Sequence, residues 1–214
     1  MTTNPVVFRI LWEDLVMREE EARSQLENNT LDLLEYSENI TDDMVIAIAE
    51  NCPGLMKINL EECGYITDAA VIALAKNCPG LTKIYLQRCE DITNAAVIAL
   101  AERCAGLTDI NLVGGDYITD AAVIALAEGC AGLTRIHLPC FSNSNITDTA
   151  IIALADRCEY LEHIGCYVGD QPSKVSATGY QLVEKIKTRP KPPPLEEGWW
   201  MDDGLGPRCK GMMN

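Results

Sequence analysis

Four near-copies of one segment follow each other without a gap, beginning at Asn51, Asn77, Arg103 and Gly129. The first three are 26 residues long and the fourth is 28. Each opens with a short Leu-x-x-Ile-x-Leu run, such as Leu55, Ile58 and Leu60 or Leu81, Ile84 and Leu86. In such a run alternate side chains of a strand face one core. Each then closes on an Ala-rich stretch led by Thr67, Thr93, Thr119 or Thr147. A hydroxyl there caps the first free amides of a helix, and Asp68, Asp120 and Asp148 add negative charge to its first turn. The extra residues of the fourth copy fall between Leu138 and Ile146, which places a loop there. A shortened leading unit runs from Leu31 to Glu50, and a degenerate unit begins at Arg157.

One such unit cannot bury its own apolar face, so the units must stack. The expected fold is α/β: a leucine-rich-repeat solenoid, a short horseshoe with parallel strands on the concave face and helices on the convex face. At about 4.8 Å per strand, some six units make a slab roughly 25 Å long. The chain then divides into an N-terminal capping helix over 1–30, the solenoid over 31–170, a C-terminal cap over 171–187 and a Pro/Gly-rich extended tail over 188–214. Phe8, Leu11, Trp12 and Leu15 stand at helical spacing in the first of these.

The 26-residue period, with Cys before the strand and Ile-Thr-Asp before the helix, resembles the cysteine-containing leucine-rich repeats of F-box/LRR substrate receptors and Amn1-like proteins. The resemblance implies a role as an adaptor or substrate-receptor-like component in ubiquitin-dependent protein turnover. The Leu-Pro opening and length of an F-box are not found in the leading segment. The alternative is a signalling or structural scaffold with no link to ubiquitin.

Cys52, Cys78, Cys104, Cys130 and Cys158 recur with the period and form a column, read as small buried apolar side chains in a reducing compartment. Cys63 and Cys89 form a second partial column, while Cys140, Cys166 and Cys209 are irregular. There is no Cys-x-x-Cys pair, and the expectation is no metal and no cofactor. Nor is there a nucleophile motif or a phosphate loop, so no catalytic residue is assigned and the chain is expected not to be an enzyme. Its two histidines, His137 and His163, fall on neighbouring coils of the concave face.

The residues alternating with the core leucines point outward onto that face. One row reads Lys57, Lys83, Asp109, Arg135 and His163. The next reads Asn59, Tyr85, Asn111, His137 and Gly165, and the third Glu61, Gln87, Val113, Pro139 and Tyr167. These positions differ between copies whose helices are almost identical, so they form the candidate partner-binding surface, with Tyr85 and Arg135 as anchors. On the convex side Ile72, Ile98, Ile124 and Ile152 line up as an apolar ridge, a candidate contact for a second copy or partner.

Net charge is −15, with acid in excess everywhere except the tail. Such a surface gains little from counterion release, so a protein partner is expected, with neither nucleic acid nor membrane. No run of about 18 apolar residues occurs and no secretory signal opens the sequence, so the expected location is cytoplasmic, with the nucleus as alternative.

Overall fold

The computed structural model describes residues 26, 28–139, 145–166 and 175–188. The expected capping helix over 1–30, apart from its last residues, and the tail after Thr188 lie outside them, as does Tyr167. Six strands, β1 (Thr30–Asp32), β2 (Lys57–Asn59), β3 (Lys83–Tyr85), β4 (Asp109–Asn111), β5 (Arg135–Leu138) and β6 (His163–Cys166), form one parallel sheet in sequence order. Six helices alternate with them: α1 (Asp42–Asn51), α2 (Asp68–Asn77), α3 (Asn94–Arg103), α4 (Asp120–Gly129), α5 (Asp148–Arg157) and α6 (Ala177–Thr188), with a 3-10 turn at Leu34–Asn39 before α1.

The register follows the repeat. Ile58 pairs with Ile84, Ile84 with Ile110, Ile110 with Ile136 and Ile136 with Ile164. All five are buried and meet the Val, Leu and Ala of the helices in one continuous core. The helix stripe Val71, Leu74, Ala75 and Cys78 is fully covered. After β2, β3 and β4 the chain turns through a left-handed residue at the same place in each coil, Glu62, Arg88 and Gly114. Only glycine adopts this conformation without cost. Glu62 and Arg88 pair with each other at 2.7 Å.

Successive helices are tied at their N-termini by a ladder that reaches from coil to coil. The Asp68 carboxylate accepts from the Thr93 N–H at 2.8 Å and from the Thr93 hydroxyl at 2.6 Å. Thr93 in turn accepts from the Ala95 N–H. The same rung joins Asp42 to Thr67, Asp120 to Thr147 and Asp148 to Ser176. Asn94 makes the equivalent rung to Thr119, donating through Nδ2 where an aspartate would accept. The aspartates thus do more than favour the local helix dipole: each also fixes the cap of the next unit. Ser176 closes the ladder, so α6 docks as the helix of a further repeat. Replacing Asp68 with Ala should cost about 1–2 kcal/mol, the scale of a lost cap and its hydrogen bonds. Urea unfolding checks this, and Asp68→Asn should recover part of the loss by imitating Asn94.

The cysteine column has a comparable role. The Cys78 thiol donates to the Cys52 carbonyl at 3.3 Å, Cys104 to Cys78 at 3.7 Å and Cys130 to Cys104 at 3.5 Å. Each of these cysteines also ends its helix, and its own carbonyl accepts from the leucine two residues before the next strand, as from Leu81 to Cys78 and from Leu107 to Cys104. The position needs a small side chain with a weak donor, which explains why Cys occupies it rather than Ala. Cys52, Cys63, Cys78, Cys89, Cys104, Cys130 and Cys158 are free thiols.

Candidate functional site

Strand pairing sets Lys57, Lys83, Asp109, Arg135 and His163 side by side across β2 to β6, one residue per coil. Asn59, Tyr85, Asn111, His137 and Gly165 form the row beside them. The two rows are not a uniform solvent-facing surface, because a polar network gathers around β4.

Asp109 is at its centre. Its Oδ2 accepts from the Tyr85 hydroxyl at 3.2 Å and pairs with Arg135 Nε at 3.4 Å and, more loosely, with Lys83 Nζ at 3.8 Å. Burial, together with the Asp109 charge and hydrogen bond, raises the Tyr85 hydroxyl above its ordinary pKa, so it remains a donor at neutral pH. Asn111 is the second centre. Its Nδ2 donates to Gln87 Oε1 at 3.0 Å and to Glu61 Oε1 at 3.3 Å, and its Oδ1 accepts from the Val113 N–H. One amide therefore bridges three coils. Asn59 repeats part of this pattern, donating to Asp32 and accepting from the Glu61 N–H.

These contacts correct the expectation for two residues. Asp109 and Asn111, read as outward recognition positions, are only 4% and 8% exposed. Flanking side chains converge on them, since a buried carboxylate or amide is tolerated only when its hydrogen-bonding capacity is filled. They tie together side chains from neighbouring coils. Lys57 and Arg135 remain exposed, while Asn59, Glu61, Lys83, Tyr85, Gln87, Val113, His137 and His163 are half-buried.

His137 and His163 do come together: their rings lie 4.9 Å apart, tilted by 46°. Burial lowers the His137 pKa, and His163 and Arg135 lower it further against the opposing pull of Asp109. The ring also rests against Gly165, where any Cβ would overlap it. Gly165 is the last member of its row, and a glycine at an otherwise variable strand position is a signal of close approach. Among the described residues, no group of three or more His, Cys, Asp or Glu side chains is placed to hold a metal ion.

On the convex side the ridge is uneven. Ile72 and Ile152 are 39% and 48% exposed, and Ile98 and Ile124 between them are half-buried. Among the described residues, no helix is long and apolar enough to cross a membrane.

No family model matches this sequence, and no curated protein matches it. Among solved structures, a chain in the crystal structure of the Rad7 and Elc1 complex in yeast is similar over 70% of this chain, with 22% identity and a TM-score of 0.55. This chain spans 38% of the length of that one. The tropomodulin C-terminal domain of Caenorhabditis elegans covers 78% of this chain and 90% of its own at 10% identity, but its TM-score of 0.43 carries no argument. At such identities the likeness speaks for the fold alone. With the parallel six-stranded sheet and the alternating helices, it makes this chain a leucine-rich-repeat solenoid.

Proposed function

We propose that this chain is a protein-interaction module that binds a protein partner through its concave strand face and catalyses no reaction. The observation that carries the reading is the coil-specific cluster of Tyr85, Asp109 and Arg135, with the paired His137 and His163 beside it. The repeat leaves the helices nearly invariant and spends its variation here. The buried Asp109 holds an aromatic and a cationic side chain in fixed positions, which lowers the ordering cost of a contact made through them.

Within that reading, the partner belongs to ubiquitin-dependent turnover, with this chain as an adaptor or substrate receptor. The resemblance of the repeats supports this, and the similar structure is itself a complex of two proteins. The experiment is affinity purification with mass spectrometry on the wild-type chain, on Tyr85→Ala and on Arg135→Gln. Recovery of a discrete partner that falls at least tenfold in both variants, with unchanged circular dichroism, is the expected result. Ligase-core subunits among the recovered proteins favour the adaptor, and a partner set without them favours the scaffold. A partner recovered equally by all three proteins would move the site off this face.

A further inference from the structure

The concave row concentrates positive charge on a chain whose net charge is −15. Residues 51–166 contain seven Lys and Arg, and three of them, Lys57, Lys83 and Arg135, stand in this single strand row with His163 at its end. Their commitments differ. Lys57 makes no ion pair among the described residues. Among the described residues Arg135 is held by Asp109 through Nε alone, which leaves the terminal nitrogens that form a carboxylate fork open, and its side chain is 55% exposed. Glu61, the acidic residue of the third row, accepts a hydrogen bond from Asn111.

We propose that the concave face recognises an extended acidic protein segment carrying two carboxylates four residues apart, one between Lys57 and Lys83 and the other among Arg135, His137 and His163. This rests on the concave-face reading and adds the chemistry of the partner. The spacing follows from strand geometry. The middle of the Lys57–Lys83 pair and the middle of the Arg135–His163 pair are three strands apart, about 14 Å at roughly 4.8 Å per strand. An extended segment crossing the strands covers about 13–14 Å in four residues, with residues i, i+2 and i+4 on the same side. Residue i+2 then stands over Asp109, whose negative charge excludes an acidic side chain there.

His137 makes the second position responsive to pH. His137 faces His163 on β6, Arg135 on its own strand and Asp109 on β4, and burial together with these neighbours lowers its pKa, favouring the neutral ring. A bound carboxylate favours its protonated form, so binding takes up a proton and strengthens as pH falls from 7.5 to 6.

The test is carbon-detected histidine NMR on the full chain, titrated with nine-residue Ala/Ser peptides at up to millimolar concentration. A peptide with Glu at positions 3 and 7 should shift the His137 and His163 ring signals saturably and bind several-fold tighter at pH 6 than at pH 7.5. Gln at both positions should weaken it at least tenfold, as should moving the second Glu to position 5, over Asp109. Arg135→Gln should weaken the 3,7-peptide similarly while the circular dichroism of the folded chain is kept. Equal binding of the Glu and Gln peptides, or histidine signals unmoved by the Glu peptide, overturns the proposal. If the peptides fail while a partner recovered by pull-down still depends on Tyr85, the acidic preference alone is wrong. If that partner is also indifferent to Tyr85 and Arg135, the concave-face reading fails with it.

Discussion

Between pH 9 and pH 11 the folded chain should lose stability steeply, and its helical circular dichroism should collapse in one transition under reducing conditions. Burial pushes the thiols of Cys63, Cys78, Cys89 and Cys130 up to about 12 and that of Cys104 up to about 11, from an ordinary value of 9.0. A thiol is neutral when protonated, so the unfolded chain releases these protons above pH 9 while the native chain keeps them. The stabilisation is therefore complete below pH 9 and is lost as pH rises toward the folded values. Each thiol changes the folding equilibrium by about tenfold per pH unit within that window. Five acting together exhaust the roughly 5–15 kcal/mol of a typical domain within one to two units. Tyrosines and lysines also titrate in this range, so the discriminating measurement is the slope of urea-derived stability against pH between 9 and 10.5. Cys89→Ala should flatten it by close to one proton, even though that variant starts less stable. An unchanged slope would mean that the thiols are not the linked groups.

The second large effect is expected at Gly129, the last residue of α4. A Cβ built there would overlap the carbonyl of Ala101 in α3, a backbone atom that no rotamer change can move aside. Elsewhere a helical Gly→Ala change gains about 1 kcal/mol from propensity. Here that gain is outweighed by forcing two packed helices apart, and we expect Gly129→Ala to lose about 3 kcal/mol net. For a chain of this size that is roughly a 10 °C fall in melting temperature. Gly106, in the turn one coil earlier, has nothing within 4 Å of the same added atom, and Gly106→Ala should leave the melting temperature nearly unchanged. Comparable falls for the two variants would show that the close approach is not what matters at Gly129.

Periodicity was sufficient for the architecture because a solenoid is specified one unit at a time. A 26-residue repeat with alternate leucines dictates parallel strands in sequence order, and a threonine before an Ala-rich run dictates where each helix starts. The site was legible only as a set of positions. Alternation correctly placed Lys57, Tyr85, Arg135 and the two histidines on one face, but it gave Asp109 and Asn111 the same outward status. Their burial arises from neighbours 24 to 50 residues away, Tyr85, Arg135, Gln87 and Glu61, which converge only once the coils are stacked. The aspartate ladder was half legible in the same way. Asp68 reads as a helix-start residue, but its bond to Thr93 crosses between coils, and a single repeat contains no sign of it.

The sequence by itself determined the unit, its period, its strand and helix, and the side of the strand on which variation is permitted, because these follow from local sterics and from which residues avoid water. Tertiary structure alone decided which of the variable residues are exposed, which thiol meets which carbonyl, and that Gly129 must lack a side chain. Those outcomes depend on distances of a few ångströms between coils, set by how all the units pack at once rather than by any one of them.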